Sequence, residues 1–234
     1  MILFINPPFG NYINLPKTIS IRGSFTLEPR PGIISQIFKT LRYSYKYQGW
    51  INKIGLRNKG IDYAISTYQK DQIISIAILK SSDINLINSK IPSDMNIEVN
   101  ISCPNIEKNK ITGLKNLLNK KRKWCILKLS PITKDYEIDE YYKIGFRQFH
   151  CCNTIPIDKG GLSGPKLIPY VSNQIKYIKK KYPETIVIAG GGIRSWNDIL
   201  NYLDLNANHV GISTIIFNPI KFSLLYYKYL KNYK

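Results

Sequence analysis

Residues 100–105 read NISCPN, so Cys103 stands between the amides of Asn100 and Asn105, directly after an apolar run that ends at Val99. Three polar groups at the end of a strand bound for burial need water or a ligand. A free cysteine is most often an inert small hydrophobe, the ordinary reading for Cys125, Cys151 and Cys152. Cys103 differs because it occupies a loop beside Pro104. The only histidines, His150 and His209, both fall within strand-like runs, which argues against a Cys–His hydrolase. The remaining chemistry for this thiol is that of a general base.

Lys128 lies inside WCILKLSP, and a lysine in an apolar strand is costly unless its charge is met. Either its stem is buried and its head escapes at the strand end, or it faces a ligand. A phosphate-bearing cofactor would supply the opposite charge. AGGGIRS and VGIST each follow an apolar run, and GGLSG occupies 160–164. Glycines let backbone N–H groups approach an anion closely. A tight turn explains one such stretch equally well; two at consecutive strand ends point to phosphate.

Eight β-branched runs must position these groups: 2–6, 18–22, 73–79, 96–101, 124–129, 147–152, 185–189 and 209–213. Several are nearly continuous apolar runs, as strands buried on both faces require. Between them lie helical patterns. Residues 168–182 place Val171, Ile175 and Ile178 on one stripe, and Ser195 caps a helix that turns Ile199, Leu200 and Leu203 inward. The alternation implies a parallel α/β sheet. Eight strands predict a compact (β/α)8 barrel of one domain over 1–234, with an open doubly wound sheet as the runner-up. The link between the first two strands contains three prolines and is too short for a full crossover helix, so that helix is expected to be missing or reduced. In a barrel the C-terminal strand ends carry the active site, and here they carry Asn100, Cys103, Lys128, Asn153, Thr154, Gly190–Gly192, Gly211, Ser213 and Thr214.

Composition narrows the classes. No apolar run reaches the roughly 20 residues that span a bilayer, and no leader pattern opens the chain. The four cysteines include no Cys-x-x-Cys pair, so neither a metal centre nor a disulfide framework is predicted, and a reducing, cytoplasmic setting fits. The net charge of +19 would suit an acidic partner. The lysines are spread along the chain, however, with the densest runs, 119–124 and 177–183, read as solvated faces of outer helices. A nucleic-acid partner is therefore not expected.

Taken together these stretches resemble the dihydroorotate dehydrogenase family. VNISCPN is similar to its loop carrying the catalytic base, WCILKLSP to its flavin-contacting lysine strand, and NTIPIDKGGLSGPKLIP to its long substrate and phosphate loop. VIAGGGIRSWNDILNYL and VGISTIIFNP resemble its two phosphate-binding ends, and GSFTLEPRPG and NKIGLRNKGIDY match further motifs; the set runs in family order from 23 to 219. The resemblance implies a (β/α) barrel binding FMN and oxidising dihydroorotate to orotate in pyrimidine synthesis. It makes Cys103 the base at C5 of the substrate. Asn52, Asn100, Asn105, Asn153 and Thr154 would hold the pyrimidine, whose alternating C=O and N–H groups suit amide and hydroxyl partners. Lys128 would stabilise charge on the reduced flavin, and Asn100 would share the flavin site. Gly164, Gly191, Gly192, Ser213 and Thr214 would take the phosphate, with Gly23 and Ser24 near the flavin ring.

A cysteine base is the pattern of the family's soluble class, whose members commonly form homodimers and need no membrane. That class has lysine where this chain has Gly23, so Arg22 or Arg57 would have to substitute. GNYIN at 10–14 is also bulkier than the family's small-residue turn. Two alternatives stay open: a flavin-binding relic or nucleic-acid-associated structural protein without turnover, and a flavoenzyme like tRNA dihydrouridine synthase. The sequence selects no electron acceptor.

Overall fold

The computed structural model describes residues 1–101 and 111–233. Eight parallel strands close into a barrel: β1 (Leu3–Ile5), β2 (Thr18–Phe25), β5 (Ile73–Ala77), β6 (Ile97–Asn100), β7 (Cys125–Lys128), β8 (Gln148–Cys151), β11 (Ile186–Gly190) and β12 (His209–Ile212). All eight predicted runs are barrel strands. β1 and β2 pair directly, and only a 3-10 turn at Phe9–Asn11 lies between them, as the proline-rich link requires.

The helices are α1 (Ile33–Thr40), α2 (Gly60–Ser66), α3 (Asp83–Lys90), α4 (Asp135–Ile144), α5 (Ile168–Lys181), α6 (Trp196–Asp204) and α7 (Pro219–Asn232). On α5, Val171, Ile175 and Ile178 are fully buried, as their spacing predicts. Ser195 caps α6 by accepting from the Asp198 N–H at 3.3 Å. Leu200 departs from expectation and stands 40% exposed. Ile199 and Tyr202, three residues apart, share the buried face, whereas position 200 is turned about 100° away from 199. The basic run 119–124 is also not helical: it is a turn leading into β7.

One element was not anticipated. β3 (Arg42–Ser44), β4 (Gly49–Asn52), β9 (Ile155–Ile157) and β10 (Gly160–Ser163) form an antiparallel sheet in the order β3-β4-β10-β9. It brings Asn52 opposite Gly161.

The barrel interior changes character along its axis. Side chains alternate faces along a strand. Phe4, Ile21, Ile73, Trp124, Ile126 and Ile188 form one apolar cluster, separate from the larger core under the helices. Two residues further on, toward the C-terminal strand ends, the same inward positions hold Asn6, Gly23, Ser75, Lys128 and Gly190. Glu98 and His150 join them from β6 and β8.

Candidate active site

Glu98 is fully buried, and its carboxylate is shared three ways. Oε1 accepts from Lys128 Nζ at 3.4 Å and from the Ser75 hydroxyl at 2.7 Å, while Oε2 lies 2.5 Å from His150 Nδ1. The missing negative charge for Lys128 is thus supplied by the protein itself, across the neighbouring strand, and not by a ligand alone. Burial raises the Glu98 pKa, but attraction to Lys128 and the hydrogen bonds from His150 and Ser75 outweigh it and hold the group at about 2. Burial pushes His150 down from 6.5, so it sits in the core as the neutral ring.

A directional chain of hydrogen bonds leads outward from the carboxylate. Ser75 donates to Glu98, and the Ser24 hydroxyl lies 2.9 Å from that of Ser75. Asn100 Nδ2 donates to Ser24 Oγ at 2.9 Å, and Asn153 Nδ2 donates to Asn100 Oδ1 at 3.4 Å. The Thr154 N–H then donates to Asn153 Oδ1 at 2.9 Å. The chain links β2, β5, β6 and the end of β8, so one buried charge orients amides at the barrel mouth.

Above this network an open cavity lies at the C-terminal strand ends. Of the predicted site residues, Lys128, Asn153, Thr154, Gly164, Gly191, Gly192, Ser213 and Thr214 line it, drawn from five separate segments. Asn100 and Ser24 reach it through the hydrogen-bond chain. Asn52 stands on the antiparallel sheet and is not a lining residue; its neighbour across the strands, Gly161, abuts Thr154. Gly23 is tied to Asn11, whose side chain donates to the Gly23 carbonyl at 3.2 Å and accepts its N–H at 2.9 Å. The bulk of the 10–14 turn therefore has a structural use. Cys103 and Asn105 lie outside the described residues.

Arg22 does not stand in for a flavin-side lysine. Its guanidinium is committed to Thr67, at the end of α2, and to Gln72, just before β5. Arg57 donates to the Pro31 carbonyl. The other cysteines are protonated thiols: burial pushes Cys125 up to about 11 and raises Cys151 and Cys152 as well.

The wall chemistry fits a phosphorylated aromatic cofactor. Hydroxyls of Ser163, Ser213 and Thr214 and the backbone at Gly164, Gly191 and Gly192, all with φ between 77° and 141°, suit an anion. Pro7, Leu167, Ile193 and Ile212 offer apolar surface for a ring, and Lys128 a positive charge. The same glycines are needed sterically: a Cβ on Gly192 would meet Ile168 at 2.6 Å, and one on Gly164 would meet Gly49 Cα at 2.8 Å. Among the described residues no group of three or more His, Cys, Asp or Glu is placed to hold a metal, and no helix is long and apolar enough to cross a membrane.

The buried network predicts acid sensitivity. Glu98 and His150 both bind protons less readily folded than unfolded, and so does His209, which burial and the N-terminal ammonium push down to about 4. Their stabilisation is complete above about pH 6.5 and declines as pH falls, with the Glu98 share lost between about 4.5 and 2. For Glu98 alone that share is about 3 kcal/mol. Urea midpoints measured from pH 7 to pH 3 should fall throughout; a flat profile down to pH 4 would contradict the assignment.

The family model for dihydroorotate dehydrogenase matches residues 11–223. The catalytic subunit of dihydroorotate dehydrogenase B (NAD(+)) of Thermotoga maritima is 27% identical over 250 residues, covering 93% of this chain and 91% of that protein. A putative dihydroorotate dehydrogenase A (fumarate) of Aquifex aeolicus is 26% identical, covering 72% and 67%. Among solved structures, that of DHODH from Eimeria tenella in complex with ferulenol superposes with a TM-score of 0.70 over 96% of this chain and 78% of that one. At 16% identity this likeness speaks for the fold.

Proposed function

The chain belongs to the dihydroorotate dehydrogenase family and is an oxidoreductase, and from that premise we propose that it oxidises dihydroorotate to orotate with FMN held in the cavity at the C-terminal strand ends. The observation that carries this reading is the convergence of Lys128, Asn153, Thr154 and the turns at Gly164, Gly191–Gly192 and Ser213–Thr214 on one cavity.

FMN, when bound, would supply the acceptor for the hydride that leaves C6 of the substrate. Cys103 takes the C5 proton as its thiolate, so the C5–C6 double bond forms as the proton and hydride leave. Asn100, Asn153 and Thr154, with Asn52 and Asn105, hydrogen-bond the planar pyrimidine; the directional chain from Glu98 supports this by fixing which amide atoms face outward. Lys128 holds a positive charge at the cavity wall, kept in place by Glu98. Gly164, Gly191, Gly192, Ser213 and Thr214 take the phosphate, and Gly23 and Ser24 support the ring side. The site as proposed closes water out below with the apolar floor of Phe4, Ile21, Ile126 and Ile188.

Two measurements follow. Gly192→Val would drive a side chain into Ile168 at a backbone φ of 77°, so the variant should purify with less than a tenth of the wild-type flavin; full occupancy would remove this turn from the phosphate site. The function itself is tested by orotate formation from dihydroorotate with an artificial electron acceptor. Flavin-loaded protein that makes no orotate would overturn the dehydrogenase reading.

A further inference from the structure

The polar network also runs away from Lys128, and there it ends on an atom that no group among the described residues uses. His150 Nδ1 faces the ionised Glu98 carboxylate, so Nδ1 carries the proton and Nε2 of the neutral ring is an acceptor. Nε2 lies 3.3 Å from Asn6 Nδ2, which donates to it. With its amide turned that way, Asn6 presents Oδ1 on its other side. Asn6 is 7% exposed and lines the cavity, and Oδ1 is buried with no hydrogen-bond partner among the described residues. The other unpartnered buried side-chain atoms among the described residues, on Arg57, Arg122 and Gln174, belong to residues that do not line the cavity.

Two glycines make room for this pair. A Cβ on Gly211 would lie 2.5 Å from Asn6 Nδ2 and 2.8 Å from Oδ1, and a Cβ on Gly190 would lie 2.4 Å from His150 Nε2. Neither glycine has a positive φ, so the Asn6–His150 pair gives the reason these positions carry no side chain. An acceptor left bare in a buried wall is costly in the free protein. With the Lys128 ammonium in the same wall, a cationic ligand is disfavoured, which leaves a neutral N–H or O–H donor as the complementary group, and a planar heterocycle offers the N–H.

We propose that Asn6 is a ligand-binding residue whose carbonyl accepts a ring N–H of a heterocycle in this cavity, and that His150 and Glu98 are positioning residues that turn the carbonyl toward it. The inference rests on the reading of the cavity as the flavin and pyrimidine site. Both heterocycles carry ring N–H groups, and the test separates them.

Asn6→Leu keeps the size and withdraws the acceptor. In one arm, FMN is titrated into the apoprotein and followed by quenching of flavin fluorescence; in the other, orotate is titrated into the FMN-loaded protein and followed by the change in the flavin visible spectrum. We expect one of the two affinities to weaken by tenfold or more, while the thermal midpoint of the apoprotein stays level or rises, because an unsatisfied buried acceptor has been removed. His150→Phe, which frees the Asn6 amide to rotate, should weaken the same ligand, and the double variant should be no worse than Asn6→Leu alone. Should leucine not be accommodated, Asn6→Ser takes the same test. Both affinities within twofold of wild type would overturn the proposal. So would affinity and apoprotein midpoint falling together, which marks a structural role. Wild-type protein that takes up no FMN overturns the cavity reading and this inference with it.

Discussion

Glu98→Leu is expected to destabilise the protein by about 3–5 kcal/mol, because removing one partner of a buried ion pair strands the other. Lys128 is 9% exposed at its side chain and has Glu98 as its salt-bridge partner, at 3.4 Å. The substitution also takes the acceptor from Ser75 and from His150 Nδ1, so the chain that orients Ser24, Asn100 and Asn153 loses its fixed end. Removing the second charge should restore much of the loss. Glu98→Leu combined with Lys128→Leu should recover most of the urea midpoint, since apolar replacement of a whole buried pair is often neutral. The double variant should nonetheless retain little flavin, because the wall has lost its cation. A single Glu98→Leu variant unfolding at the wild-type midpoint would show that the pair contributes nothing and that the network is misassigned.

Cys103→Ser should slow reduction of the bound flavin by dihydroorotate by roughly 10²–10⁴-fold at neutral pH, the span over which a positioned general base contributes. A hydroxyl gives up its proton far less readily than a thiol, so much of the rate should return as pH rises. Flavin content should be unchanged, since the turns assigned to the phosphate lie on other strands. None of the other thiols can take over. Cys125 and Cys151 are not cavity residues, and Cys152, which does line the wall, is held protonated by burial. An unchanged reduction rate in stopped-flow would remove Cys103 from the mechanism.

The barrel was legible because its strands are buried on both faces and read as short β-branched runs. The absent first helix was legible for a different reason: Pro7, Pro8 and Pro16 crowd a link of few residues. The antiparallel sheet was not, since β4 and β10 pair Asn52 with Gly161, more than a hundred residues on, and strands of three or four residues carry little local signal. Lys128 is conspicuous as a charge in an apolar run, but its partner Glu98 lies inside the neighbouring strand and not at a strand end. The signal was present. In Ile97-Glu98-Val99-Asn100 the polar residues alternate with apolar ones, which places Glu98 and Asn100 on one face. His150 sits likewise two residues before Cys152. Asn6 gave no such signal: it is one amide before two prolines, and its importance appears only when β1, β8, β11 and β12 close around it.

Electrons are expected to leave dihydroorotate for a flavin held in the cavity that Lys128 lines. Anaerobic addition of dihydroorotate to the FMN-loaded protein tests it most directly, with the flavin's visible absorbance and the orotate formed followed together. The whole bound flavin should bleach, with one orotate produced per flavin. Flavin that stays oxidised under excess dihydroorotate, yet bleaches with dithionite, would contradict it.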